Sequence, residues 1–162
     1  FVTQKTLEEE ERALDHDTLR SIYEGKTRTW PDGRAITPLF REEGDSGLKL
    51  LRARAPRLGE ALSPPTRDAR RGLVLHTDQQ MRDALLEIDG SIGWLHKGMI
   101  TTESLPLSPL TVMLEDRTPL EVDLALYLVT HEVEQPDARA FLAFTKSERA
   151  RKLLESHGYD AP

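Results

Sequence analysis

The chain has 162 residues, a formal net charge of −6 and no cysteine, and hydrophobic residues make up 38% of it. This length suits one domain with a real core, and the negative charge argues against non-specific binding of nucleic acid. The absence of cysteine excludes disulfides, thiol catalysis and cysteine-ligated zinc. No run approaches the roughly 18 apolar residues that a membrane span needs.

The first part of the chain predicts a strand, a helix and a second strand. Residues 1–3 are typical of a strand. Asp15 is placed to cap a helix that ends at Gly25. A turn at residues 30–33 (WPDG) precedes a mostly apolar run at residues 35–40, which predicts the second strand.

The loop at residues 41–47 (REEGDSG) lies between that second strand and a run with helical spacing. Ser46 is placed to begin the helix, where backbone N–H groups have no internal partner and the peptide dipoles favour negative charge. Arg41 stands at the strand end, where a guanidinium can hold an oxyanion with two parallel hydrogen bonds. An ordinary helix cap beside an exposed arginine remains the alternative. The candidate ligand-binding residues are Arg41, Gly44, Asp45, Ser46 and Gly47.

The rest of the chain alternates strand-like and helix-like segments. A helix from residue 48 is broken by Pro56 and followed by a short helix and a loop. Another helix opens with a capping box formed by Thr77 and Gln80 and stops at Gly90. Strands are predicted at residues 73–76, 91–95, 110–114 and 122–130, closing helices at 137–144 and 147–157, and linkers at 64–65 and 105–109. This alternation indicates an α/β fold.

Several segments resemble the phosphate-type substrate-binding proteins of ABC transporters. Residues 14–26 (LDHDTLRSIYEGK), followed by WPDG at 30–33, are similar to an L-T-x-x-x-L-x-x-I-F-x-G-K…W-x-D-G segment of that family. GSIGW at 90–94 is similar to its G-A-I-G-Y strand, and AFLAF at 140–144 with Gly-Tyr at 158–159 resembles its closing helices. In that family an arginine and a Gly-Ser-Gly loop that opens a helix hold the oxyanion. The resemblance runs in the same order along nearly the whole chain.

The resemblance implies the type 2 periplasmic binding protein fold, an α/β lobe with a mixed sheet flanked by helices. It implies one domain over residues 1–162, with the second lobe at about 1–95, return and closing elements at 96–162, and the first lobe absent. It also implies a solute-binding module of an ABC-type uptake system for phosphate or another small oxyanion, without enzymatic activity, cofactor or metal.

The same resemblance implies the partners and the location. The expected partners are a small oxyanion ligand, an ABC permease, and either the missing first lobe or another copy of the chain. Nucleic acid and a membrane span are not expected. The expected location is periplasmic or extracellular, in association with the cell envelope.

Two departures from the family pattern bear on the ligand. Asp45 is an additional residue, so that Ser46 is the fifth residue after Arg41, and Leu48 stands where the family has threonine. One hydroxyl donor is therefore missing. Asp45 would repel a fully ionised oxyanion but accept a hydrogen bond from a protonated one, because a carboxylate has acceptors only. The residues therefore leave the choice between phosphate and another oxyanion open.

Two other classes of function remain open. A ligand-sensing or interaction domain, such as the effector domain of a transcription regulator, would keep the fold without transport, and a helix-turn-helix upstream would favour it. Hydrolase chemistry is disfavoured because residues 44–47 (GDSG) lack the G-x-S-x-G pattern of a nucleophile elbow. No histidine is placed by the sequence to activate Ser46, and the five histidines have no metal-ligand spacing.

Overall fold

The computed structural model describes residues 1–4, 7–8, 12–65, 72–125 and 135–160. Its strands are β1 (Val2–Thr3), β2 (Ala13–Asp15), β3 (Thr37–Arg41), β4 (Leu73–Leu75), β5 (Ser91–Gly93), β6 (Ser108–Pro109) and β7 (Thr111–Met113). Its helices are α1 (His16–Tyr23), α2 (Ser46–Arg54), α3 (Pro56–Ala61), α4 (Asp78–Glu87), α5 (Lys97–Thr102), α6 (Pro136–Thr145) and α7 (Glu148–Ser156). Within the described residues no helix is both long and apolar enough to cross a membrane.

A five-stranded mixed sheet is the framework of the fold, with strand order β4-β3-β5-β1-β6. β3 is parallel to both β4 and β5, whereas β1 is antiparallel to β5 and β6. β2 and β7 form a separate parallel pair. Since parallel strands end at the same edge of a sheet, the chain leaves β3 and β4 side by side, and α2 and α4 begin there. The predicted α/β fold with a mixed sheet flanked by helices is confirmed.

The core contains buried residues of the sheet, α1, α2 and α3, and Tyr23 is fully buried within it. α1 buries Leu19, Ile22 and Tyr23. The Tyr23 ring meets Phe40 edge-on at a centroid distance of 5.1 Å, an arrangement that aromatic pairs favour. The Tyr23 hydroxyl lies 3.2 Å from the carbonyl oxygens of Leu39 and Ile92, to which it donates. Burial raises the pKa of this phenol, so it remains a neutral donor that joins α1 to two strands.

The chain divides into two compact units. The first comprises Phe1–Leu95 and Pro106–Asp123, and it contains both sheets and the core around Tyr23. The second comprises His96–Leu105 and Leu124–Pro162, and it contains α5, α6 and α7. α6 buries none of its residues. Among the described residues of this second unit, the exposed large apolar side chains are Leu124, Phe141, Phe144, Leu153, Leu154 and Tyr159. The predicted division into a second lobe and return elements remains a prediction.

Helix starts and stops agree with the sequence where a capping residue is present. Asp15 caps α1, accepting a hydrogen bond of 2.7 Å from the N–H of Thr18, and Gly25 follows its end with a φ of +73°. The break at Pro56 is confirmed, because α2 ends before it and α3 begins with it.

The strands agree less well with the predictions than the helices do. The segment 105–109, predicted as a linker, contains β6, and α5 was not predicted. The strand predicted at 73–76 is present as β4, whose apolar run suggested a buried strand, yet Leu73 is 46% exposed. Of the strand predicted at 122–130, residues 122–125 are not in a strand, and the remainder lies outside the described residues.

Candidate functional site

The candidate site lies where β3 and β4 end. Arg41 is the last residue of β3 and is in register with Leu75, the last residue of β4. α2 begins five residues after Arg41, at Ser46, and α4 begins at Asp78. The N-termini of α2 and α4 therefore both lie next to Arg41. The N-terminus of each helix carries a partial positive charge and N–H groups without internal partners.

The Arg41 guanidinium is fixed by carboxylates of both helices. Its Nε and Nη2 lie 3.0 and 2.9 Å from Oδ2 of Asp45, and Nη2 lies 3.1 Å from Oδ1 of Asp78. Arg41 is only 6% exposed. Its Nη1 is buried and has no hydrogen-bond partner within the described residues. Arg41 is therefore held at the junction of the helices with part of its donor capacity unused.

Asp45 both caps a helix and orients the arginine. It precedes α2 as the N-cap residue, and its Oδ1 accepts a hydrogen bond of 2.8 Å from the N–H of Leu48. Its Oδ2 accepts from Arg41. Both carboxylate oxygens are thus already engaged within the chain. The predicted hydrogen bond from a protonated oxyanion to Asp45 would have to use the remaining lone pairs of the carboxylate, and it stays a prediction.

The other predicted ligand-binding residues form the turn and the first residues of α2. Gly44 is exposed in the turn, which closes with a bond of 3.1 Å from the N–H of Asp45 to the carbonyl of Glu42. Ser46 and Gly47 are the first two helical residues, so helix geometry provides no internal partner for their N–H groups. A Cβ on Gly47 would lie 3.1 Å from Oδ1 of Asp45, which favours glycine there. The five predicted residues thus lie at the end of β3, in the turn and at the start of α2.

The N-terminus of α4 shows a variant of the predicted capping box. The Thr77 hydroxyl accepts from the N–H of Gln80 at 3.1 Å, as predicted. However, the Gln80 amide oxygen accepts from the N–H of His76 at 2.8 Å instead of from the N–H of Thr77. Asp78 follows as the first helical residue, and its carboxylate contacts Arg41. The sequence favoured a structural cap here over N–H groups that face a ligand crevice. The contact with Arg41 arises because the pairing of β3 with β4 joins residues distant in the chain.

The remaining acidic residues of the loop pair away from Arg41. Oε2 of Glu42 lies 2.9 Å from Nδ1 of His76. Oε2 of Glu43 accepts a hydrogen bond of 2.8 Å from Arg52, and this bond lowers the pKa of Glu43. Within the described ranges, the ion pairs of Arg41 are those with Asp45 and Asp78. In the described part of the chain, no group of three or more acidic or histidine side chains is placed to hold a metal ion.

The two tryptophans occupy different environments. Trp30 is buried, and its Nε1 donates to the carbonyl of Gly90 at 3.1 Å, so it belongs to the core. Trp94 is partly buried, and its ring lies 5.7 Å from Phe1 and 6.1 Å from Tyr23. A Cβ on Gly47 would lie 3.5 Å from Nε1 of Trp94. The Trp94 ring therefore lies next to the first turn of α2.

No protein-family model matches the sequence, and no curated protein matches it. The fold is similar to that of solved transport proteins. One is an ABC-type phosphate transport receptor of Vibrio cholerae, with a TM-score of 0.52 and 18% identity over 93% of this chain. Another is a substrate-binding protein assigned to a phosphate ABC transporter of Clostridium perfringens and solved with bound phosphate, with a TM-score of 0.64 and 16% identity over 96% of this chain.

This chain spans 65% of the length of each of these two neighbours. At such low identity the likeness establishes the fold. The protein shares the periplasmic-binding-protein-like α/β fold of these two neighbours, with a mixed sheet flanked by helices, as the sequence resemblance predicts. The phosphate-type substrate-binding proteins of ABC transporters are the particular members of this fold class that it resembles. What those proteins bind is a starting point for a proposal about this chain, because function depends on the residues of a site.

Proposed function

We propose that this chain is a non-enzymatic solute-binding module of an ABC-type uptake system, and that its ligand is phosphate or another small oxyanion. The observation that carries this proposal is the buried Arg41, held between the N-termini of α2 and α4 with Nη1 unpartnered within the described residues. Helix N-termini and guanidinium groups are both established anion-binding elements. The fold shared with the phosphate transport proteins of Vibrio cholerae and Clostridium perfringens supports the proposal.

In the proposed binding mode, the N–H groups of Ser46 and Gly47 and the guanidinium of Arg41 bind the oxygens of the anion. Asp45 fixes the guanidinium in place. Among the described residues two carboxylates contact the guanidinium, so Arg41, Asp45 and Asp78 together carry a net negative charge. An oxyanion that keeps a proton suits such a cluster better than a fully ionised one, because its hydroxyl can donate to a carboxylate.

The partners and the location belong to the same proposal. An ABC permease would take up the loaded form, and the chain would work in the periplasm or outside the cell. The other side of the ligand crevice would come from a first lobe. The fold and the descriptions of the two structural neighbours support this part of the proposal.

Replacing Arg41 tests the site directly. Inorganic phosphate is titrated into the full chain, and the backbone amide signals of Ser46 and Gly47 are followed by NMR. Loss of a charge-assisted, bidentate contact in Arg41→Ala is expected to weaken binding about ten- to a hundredfold. Arg41→Lys keeps the charge without the planar fork, so its affinity should lie between those of the wild type and Arg41→Ala.

Arg151→Ala is the matched control, because it removes the same charge from a surface arginine paired with Glu148 in the second unit. Its phosphate affinity should equal that of the wild type. Equal affinity of Arg41→Ala and the wild type, or a titration that shifts neither Ser46 nor Gly47, would contradict the proposal. In that case the loop is a helix cap, and the resemblance reports the fold alone.

A further inference from the structure

We propose that Asp78 is an internal counter-ion of the anion site, which occupies a position on Arg41 that an incoming oxyanion needs. Asp78 would thereby set the affinity of the site and its preference among anions. This inference rests on the proposed function of the loop at residues 41–47 and adds a residue from α4 to it.

The two carboxylates engage the guanidinium differently. Asp45 binds from the side, where its Oδ2 meets both Nε and Nη2 of Arg41. The end of the guanidinium, formed by Nη1 and Nη2, is a pair of donors that carboxylates and phosphates can bind in bidentate fashion. Asp78 contacts this end through Nη2 at 3.1 Å. Nη1 has no hydrogen-bond partner within the described residues. The end of the guanidinium is therefore only partly satisfied by Asp78.

Of the two carboxylates, Asp78 is the one that an anion can displace. The Asp45 side chain is 11% exposed and also holds the N–H of Leu48, so its movement would uncap α2. The Asp78 side chain is 36% exposed and stands at the first position of α4. Nη1 is shielded from solvent, and in this proposal the Asp78 carboxylate moves aside so that an anion can reach both end donors.

Displacement leaves a negative charge close to the bound anion. This charge opposes every oxyanion, and it opposes a fully ionised one most, because that anion has no proton to donate to the carboxylate. Removing the charge of Asp78 should therefore strengthen anion binding, with the larger gain for sulfate than for phosphate. A purely structural role would predict weaker binding, since Arg41 would lose one of its anchors.

The test compares Asp78→Asn with the wild type and with Asp83→Asn. Asp83 is a matched control, because it lies on the same helix and pairs with its neighbour Arg82 at the surface. Inorganic phosphate and sulfate are titrated separately into each full chain, and the amide signals of Ser46 and Gly47 are followed by NMR. We expect Asp78→Asn to bind phosphate about fivefold more tightly, with a larger factor for sulfate, and Asp83→Asn to match the wild type.

The outcomes separate this inference from the proposed function. If the wild type binds through Arg41 and Asp78→Asn binds no more tightly, the role of Asp78 is refuted while the proposed function stands. If no variant shifts Ser46 or Gly47 with either anion, both are refuted. Binding that is seen in Asp78→Asn and absent in the wild type supports the inference. Asp78→Ser, which also suits a helix start, provides a second uncharged variant, and thermal unfolding checks that each variant is folded.

Discussion

Asp45 illustrates how one residue can serve the fold and the site together. Its Oδ1 satisfies an N–H at the start of α2, and its Oδ2 binds the buried Arg41. A cap of this kind contributes about 1 kcal/mol. A buried ion pair is more sensitive, because removing one partner leaves a charge that water cannot reach. The position of Arg41 therefore depends on the carboxylate of Asp45.

Replacement of Asp45 by asparagine should destabilise the protein. Asparagine can still cap α2, but its amide would lose the charge that Arg41 faces. We expect a loss of about 3 kcal/mol in the free energy of unfolding, at the lower end for buried pairs because Asp78 still contacts Arg41. Urea denaturation measures the change. Asp83→Asn, which breaks a partly exposed pair with Arg82, should change stability by less than about 1 kcal/mol.

An Asp45→Asn variant as stable as this control would mean that Arg41 is held without Asp45, and the proposed anchoring would be wrong.

At the scale of residues, the sequence predicted the positions of Arg41 and Ser46, since a strand end and a helix start are local features. It indicated a helix start at Asp78 but not the contact of this residue with Arg41, which is distant in the chain and lies 3.1 Å away. Only the parallel pairing of β3 with β4 brings the two together.

At the scale of elements, the close packing of α3 on α2 supports the loop. The two helices are separated by Ala55 alone. A Cβ on Gly59 would lie 2.5 Å from the Cα of Arg52, so the absence of a side chain is what permits this approach. Arg52 in turn holds Glu43 and the Ser63 hydroxyl. The packing thus connects α3 to the loop that carries the candidate site.

Gly59→Ala should separate the two helices. The added methyl group meets backbone, which cannot rotate away, so we expect a loss of about 1–3 kcal/mol in the free energy of unfolding. Gly44→Ala is the matched control, because the nearest atom to its Cβ is the Glu42 Oε1 at 4.0 Å. Chemical denaturation of both variants makes the comparison. Equal stability of the two variants would show that α3 can shift on α2 without cost.

Elements differed in how well the sequence predicted them, for a physical reason. Helices with capping residues, such as α1 with Asp15, carry a local signal and were located within a few residues. The strands are two to five residues long, too short for a clear alternating pattern. The segment 105–109 contains two prolines and was predicted as a linker. Its strand β6 lies at the edge of the sheet, where proline is tolerated because no ladder bond need be donated.

At the scale of the whole molecule, the question is which parts of the proposed ligand crevice this chain contributes. The candidate loop lies entirely within the first unit, where β3 of the five-stranded sheet ends. The chain matches 65% of each structural neighbour. If the proposed function is correct, this chain provides one side of the ligand crevice, and a first lobe provides the donors of the other side.

The 162-residue chain should therefore bind inorganic phosphate weakly by itself. An anion held from one side keeps much of its contact with water, and Asp78 competes with it for Arg41. We expect a dissociation constant of roughly millimolar or weaker, which corresponds to no more than about 4 kcal/mol. Calorimetric titration with phosphate, sulfate and molybdate provides the measurement, and Arg41→Ala identifies any signal that does not arise at the site. Micromolar binding that depends on Arg41 would show that the first unit encloses the anion without a first lobe, so that Ser46, Gly47 and Arg41 provide most of the binding energy.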